Sequence, residues 1–169
     1  MSSPAPLVRL RPVGASDAYA AYELMLCNSW SFRWCTDGTP VSLGDFAHIV
    51  WELTISRYAV ISGDSAESLL GFAVGHSSDG SADTCKVDII LADVIHQVRE
   101  FRAATELMLE ALWAARNWHK IYLELPGPVH HAVAPAMADV IHEEGRLRGF
   151  YLINGNVTDM VICAGVRRP

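Results

Sequence analysis

Asp88 lies in an apolar run, Val87-Asp88-Ile89-Ile90. A carboxylate among strand-forming residues is expensive to bury unpaired, and burial favours a proton on it, as acid–base work requires. The same position also suits an outward-facing or salt-bridged residue. Upstream, Trp30, Phe32 and Trp34 surround Arg33. Such rings can wall an apolar or aromatic acceptor, with Arg33 available for an acceptor carboxylate, or they can pin a loop to the core. Downstream, Arg99, Glu100 and Arg102 open a long helical pattern. A helix start carries free N–H donors and a positive dipole end, which suit an anion; a charged start can also be merely solvated. His130 and His131 are adjacent and could move protons, although surface pairs are often only solvated.

The elements that position these residues are legible in the periodicity. Leu7–Pro12 alternates and predicts a strand. Ser16 caps a predicted helix to about Cys27, and Ser42 caps another to about Ile55. Tyr58–Ser62, Leu69–His76 and Cys85–Ala92 read as strands, the last apolar enough to be central. A helix follows from about Glu100 to Asn117, with Ala103, Leu107, Ala111 and Ala114 on one stripe. Ile121–Leu125 is a strand ended by Pro126-Gly127-Pro128, and His131–Val140 a short helix containing Pro135. Arg146–Ile153 and Val157–Ala164 form a hairpin around Asn154-Gly155. The hairpins imply antiparallel pairing, and the two helical crossovers imply a parallel central part.

The 169 residues predict one domain, residues 7–164, with flexible ends at 1–6 and 165–169. At 51% hydrophobic and 19% charged the chain is not of disordered composition. A net charge of −6 argues against nucleic acid as a partner and suits a cationic one. Cys27, Cys35, Cys85 and Cys163 form no C-x-x-C pair and no zinc spacing, so free thiols and no metal are expected. No apolar run reaches the length of a membrane span, so a cytoplasmic protein that does not bind membranes is expected.

Two stretches resemble the GNAT acetyltransferase superfamily, nearest its ribosomal-protein-type branch. The first is Ala104-Thr105-Glu106-Leu107, then Trp113, then Trp118-His119-Lys120-Ile121-Tyr122-Leu123. The second is Glu143-Glu144-Gly145-Arg146-Leu147-Arg148, the Asn154-Gly155 turn, and Val157-Thr158-Asp159-Met160-Val161-Ile162. The resemblance implies a mixed, mostly antiparallel central sheet of about seven strands with helices on both faces. It implies an N-acyltransferase using acetyl-CoA or another acyl-CoA on a small-molecule amine or a peptide N-terminus, and leaves a homodimer open.

The family's pyrophosphate loop, Q/R-x-x-G-x-G/A, aligns best as Arg99-x-x-Arg102-x-Ala104, with Arg102 in place of a glycine. The cofactor contacts implied are Leu91, Ala92, Val94, Arg99, Arg102, Ala103 and Ala104, with the Arg102 side chain turned to a phosphate. Asp88 stands where the family carries a base. The family's usual acid, a tyrosine, falls at Ala136, leaving His130, His131 or Cys85 for that role; His131 is taken with Asp88 as the catalytic pair. Trp30, Phe32, Arg33 and Trp34 fall in the acceptor loop. The altered loop also keeps two alternatives in view: the same fold reassigned to cyclisation or elimination, and a non-catalytic binding domain.

Overall fold

Phe101, Ala104, Thr105, Met108, Leu109 and Leu112 recur at helical spacing, and all six are buried along one side of the longest helix. The chain is described from a computed structural model for residues 7–27, 42–52, 54–63, 68–77, 83–153 and 155–166. In chain order the elements are β1 (Val8–Pro12), α1 (Ala18–Cys27, after a 3-10 turn at Ala15–Asp17), α2 (Leu43–Glu52), β2 (Thr54–Ser62), β3 (Leu69–Ser77) and β4 (Thr84–Leu91). They continue with α3 (Val98–Ala115), β5 (Lys120–Pro126), α4 (Gly127–Met137), β6 (Ile141–Ile153) and β7 (Asn156–Gly165).

The strands form one seven-stranded sheet in the order β1-β2-β3-β4-β5-β7-β6. Every neighbouring pair is antiparallel except β4 with β5. The parallel part is thus narrower than two crossovers suggest. The α4 crossover does carry β6 back in the direction of β5, but the hairpin inserts β7 between them. Gly155 supports that hairpin turn with φ +78°; Asn154 lies outside the described residues.

Strand alternation sorts the two faces of the sheet. Cys85, Val87 and Leu91 of β4 and Ile121, Leu123 and Leu125 of β5 enter the main core with α3 and α4. On the opposite face α1 and α2 pack over β2 and β3, around Met25, Phe46, Ala59, Ile61 and Phe72. Lys86 and Asp88 of β4 and Tyr122 and Glu124 of β5 also point to that second face. They are only partly buried.

Element ends depart from the periodicity where packing overrides it. α3 begins at Val98 instead of Glu100. α4 begins at Gly127, with Pro128 in its first turn, where a missing N–H costs nothing, and it tolerates Pro135 within. β6 begins at Ile141, five residues earlier than expected, because it pairs with β7 through two register shifts. At the second shift Gly149, φ +61°, donates its N–H to Asp159 Oδ1 at 3.0 Å, which satisfies a group the bulge takes out of the ladder.

Arg11 on β1 grips Asp17 with both guanidinium nitrogens at 2.9 Å, and Gly14 N–H donates to the same carboxylate at 2.7 Å. The Arg11 hydrogen bonds hold the Asp17 carboxyl below its ordinary range, against a smaller opposing effect of burial. A depressed folded-state pKa contributes stability above the unfolded value, near pH 4, that is lost as pH falls through the folded value. Asp17→Asn should therefore narrow the stability gap to the native protein as pH drops below about 4, read from urea midpoints along a pH series.

Gly71 on β3 is a second constraint. A Cβ there would sit 1.9 Å from the Ile90 carbonyl oxygen and 2.9 Å from the Leu91 Cα, both backbone atoms. Gly71→Ala is expected to cost about 2–3 kcal/mol in urea unfolding, because strands must move apart to admit a methyl group.

Candidate active site

β4 and β5 pair over three residues only: Thr84 with Lys120, Cys85 with Ile121, and Lys86 with Tyr122. Beyond that point β4 stays with β3 to Leu91, while β5 stays with β7 to Pro126. The two strands diverge and open a wedge in the middle of the sheet. Backbone N–H and C=O groups on the facing edges have no ladder partner there, and such groups need one. An extended ligand arm bearing amides fits an edge of this kind.

A polar cluster stands at the apex of the wedge, on the face away from α3. Lys86 Nζ lies 3.1 Å from Glu124 Oε2 and 3.8 Å from Asp88 Oδ2. His76 Nε2 of β3 lies 3.1 Å from the same Asp88 oxygen. Burial works against the Lys86 charge, but Asp88 and Glu124 outweigh it and push the ammonium well above its ordinary range. Burial, aided by Glu124, also raises the Tyr122 phenol. Two carboxylates thus face one ammonium and one imidazole across the cluster. Asp88 is therefore neither solvated nor alone, but one member of a four-residue network.

Cys85 faces the other way. It is fully buried under α3, and burial pushes its thiol up to about 11, which keeps it neutral and away from the cluster. His131 is exposed on α4, a helix that packs on the face opposite Asp88, and none of the cluster contacts includes it. Its neighbour His130 is partly buried, 3.6 Å from Glu143, and burial lowers its pKa. Trp30, Phe32, Arg33 and Trp34 lie outside the described residues. Sequence reading missed His76, Lys86 and Glu124; the one usable signal was their alternation with apolar neighbours inside strands.

At the start of α3 the expected cofactor residues fall into two groups. Gln97 is the N-cap residue, and Phe101 N–H already donates to Gln97 O at 2.8 Å. The first-turn donors are therefore those of Val98, Arg99 and Glu100. Arg102, Ala103 and Ala104 lie within the helix, where N–H groups bond to the preceding turn. Ala104 is wholly buried, Leu91 and Val94 send their side chains into the core, and Ala92 is exposed with its N–H on Leu70 O at 3.2 Å. Arg99 is exposed.

The Arg102 side chain takes neither expected course. Its guanidinium spans Asp139 Oδ1 and Oδ2 at 2.6 and 2.8 Å, reaches Glu106 Oε1 at 2.9 Å, and donates to the Ala136 carbonyl. It clamps α3 to the end of α4 because three acceptors converge there. A separate cavity of about 320 Å³, lined by Glu106, Glu110, Trp113 and Val140 among others, shares no residue with the polar cluster.

No known family model matches the chain, and no curated protein matches it. Solved structures do. Spermidine N-acetyltransferase from Vibrio cholerae, in complex with CoA and spermine, is 22% identical, covers 94% of each chain and has a TM-score of 0.72. A structure described as a "putative phosphinothricin N-acetyltransferase" is 19% identical over 93% of this chain and 96% of its own, with a TM-score of 0.67. A "probable" GNAT-family acetyltransferase from Chromobacterium violaceum is 19% identical over 96% and 83%, with a TM-score of 0.59. The chain has the GNAT acetyltransferase fold. At these identities the likeness bears on the fold and not on a branch within it.

The Arg102 clamp yields a prediction. Arg102→Ala should lower unfolding stability by about 1–2 kcal/mol, since charged hydrogen bonds are lost but at partly exposed positions. Amide exchange should rise around Ala136–Val140. Equal exchange in both proteins would show that the clamp holds nothing.

Proposed function

We propose that the chain is an N-acyltransferase that moves an acyl group, with acetyl the first choice, from an acyl-CoA to the amine of a small molecule or a peptide N-terminus. The observation that carries this reading is the wedge between β4 and β5, with an anionic cluster at its apex. The facing strand edges suit the amide-bearing arm of CoA. The first-turn N–H groups of α3 suit its phosphates, one turn earlier than the Arg99–Ala104 pattern places them. When bound, the cofactor supplies an activated acyl thioester. The cluster supplies the other requirement. Its two carboxylates attract a cationic acceptor, and their partial burial strengthens that attraction. The amine acceptors in the names of the compared structures agree with this charge, as does the net charge of the whole chain.

The reading is tested by incubating the protein with acetyl-CoA and a panel of primary amines, from monoamines to polyamines and peptides, following thiol release and acylated product by mass. Acetyl-CoA alone should raise the unfolding temperature. Glu124→Gln should raise KM for a cationic amine several-fold, with a smaller change in kcat, because charge attraction acts on binding. No thermal shift at millimolar acetyl-CoA, together with no product from any amine, overturns the reading in favour of reassigned chemistry or a binding domain.

A further inference from the structure

We propose that Lys86 is a built-in cation that sets the charge of the acceptor: the wedge takes an amine bearing one ammonium group and discriminates against a compact diamine. This inference rests on the acyl-transfer reading above and deepens it.

The register places the charges. Lys86 is the last β4 residue paired with β5, opposite Tyr122. Asp88 follows on β4, where its partner is Val74 of β3. Glu124 follows on β5, where its partner is Ile162 of β7. Side chains at alternate positions of a strand share a face, so the two carboxylates stand on one face, one on each diverging strand. Lys86 sits at the base of the opening between them. Its Nζ lies 3.1 Å from Glu124 Oε2 and 3.8 Å from Asp88 Oδ2, and all three side chains remain partly exposed.

Two carboxylates on facing strands, with nothing between them, would make a seat for an organic dication. Here the seat is filled. Burial opposes the Lys86 charge, Asp88 and Glu124 outweigh it, and the group stays an ammonium. Its charge offsets one of the two carboxylates, so a single incoming ammonium is still attracted. A second ammonium close to the first meets Lys86 as a like charge, in a partly buried site where repulsion is less screened than in water. His76, 3.1 Å from the same Asp88 oxygen, does not change the sign of this effect. A proton on it would add to the repulsion, and a neutral ring would leave it as it is.

The energy of a ligand in the field of a fixed charge scales with the ligand's own charge. With both of its charges near the cluster, a dication is therefore penalised by Lys86 about twice as much as a monocation. The net charge of −6 acts the other way, because it draws dications more strongly than monocations. A preference for monocations must then come from a local positive charge, and Lys86 is that charge at the apex. This is selection by repulsion added to the attraction of the carboxylates. For two unit charges about 10 Å apart at an effective dielectric of about 20, Coulomb's law corresponds to roughly a tenfold effect on binding.

The test compares kcat/KM with acetyl-CoA for amines matched in length: butylamine against putrescine, and pentylamine against cadaverine. Diamine values are halved for their two equivalent ends. The wild type should favour the monoamine of each pair by roughly tenfold or more, mostly through KM. Lys86→Gln should close or reverse that preference, and Lys86→Arg, which keeps the charge, should retain it. The ratio within one variant cancels a general loss of activity, which is all that a purely structural lysine would produce. Unfolding midpoints check that each variant is folded; if Lys86→Gln is not, Lys86→Met takes its place, and the wild-type ratio is decisive in either case. A wild type that acylates diamines as well as monoamines overturns this proposal and leaves acyl transfer standing. So does an unchanged ratio in Lys86→Gln, or loss of the preference in Lys86→Arg. A wild type that neither binds acetyl-CoA nor acylates any amine overturns both.

Discussion

The divergence of β4 from β5 is the constraint on which the rest depends. A sheet is stable because each strand satisfies its neighbours' backbone groups. Here two central strands part after three pairs, and each is held by a different antiparallel partner. The core survives because α3 and α4 cover the seam on one face with apolar side chains. On the opposite face, among the described residues, α1 and α2 pack over β2 and β3. Polar side chains on β4 and β5 are partly buried with opposite charges close together. Lys86 between Asp88 and Glu124, and His76 on Asp88, form a network in which no charge is buried alone.

Arg102 shows how a long cationic side chain is absorbed by its surroundings. A glycine at that point would let the chain turn and approach an anion closely. An arginine continues the helix and needs acceptors for a delocalised cation. Asp139, Glu106 and the Ala136 carbonyl provide them. The consequence is mechanical as well as local: the helix that leads out of the central strand is tied to the helix that follows β5. The first-turn N–H donors of this helix are those of Val98–Glu100.

Much of the architecture was legible because it rests on local rules. Period-two alternation marked β1, an apolar run marked β4, and a period near 3.6 marked α3. Asn154-Gly155 marked a hairpin. Boundaries were less legible, since β6 gains five residues from pairing with β7 through bulges that no local pattern encodes. Pro128 and Pro135 blurred the start of α4, although the helix uses the first at a position where its missing N–H does no harm.

By itself the sequence determined the order of elements, the acidic balance and the presence of a carboxylate on the central strand. Those follow from side-chain type and spacing along the chain. The stripe it offered for α3, Ala103, Leu107, Ala111 and Ala114, is not the buried one. Only the tertiary structure decided what that carboxylate meets. His76, Lys86 and Glu124 come from three different strands, and their meeting with Asp88 depends on register across β3, β4 and β5. Register is a relation between distant segments, set by the packing of the opposite face, and no local pattern in the chain carries it.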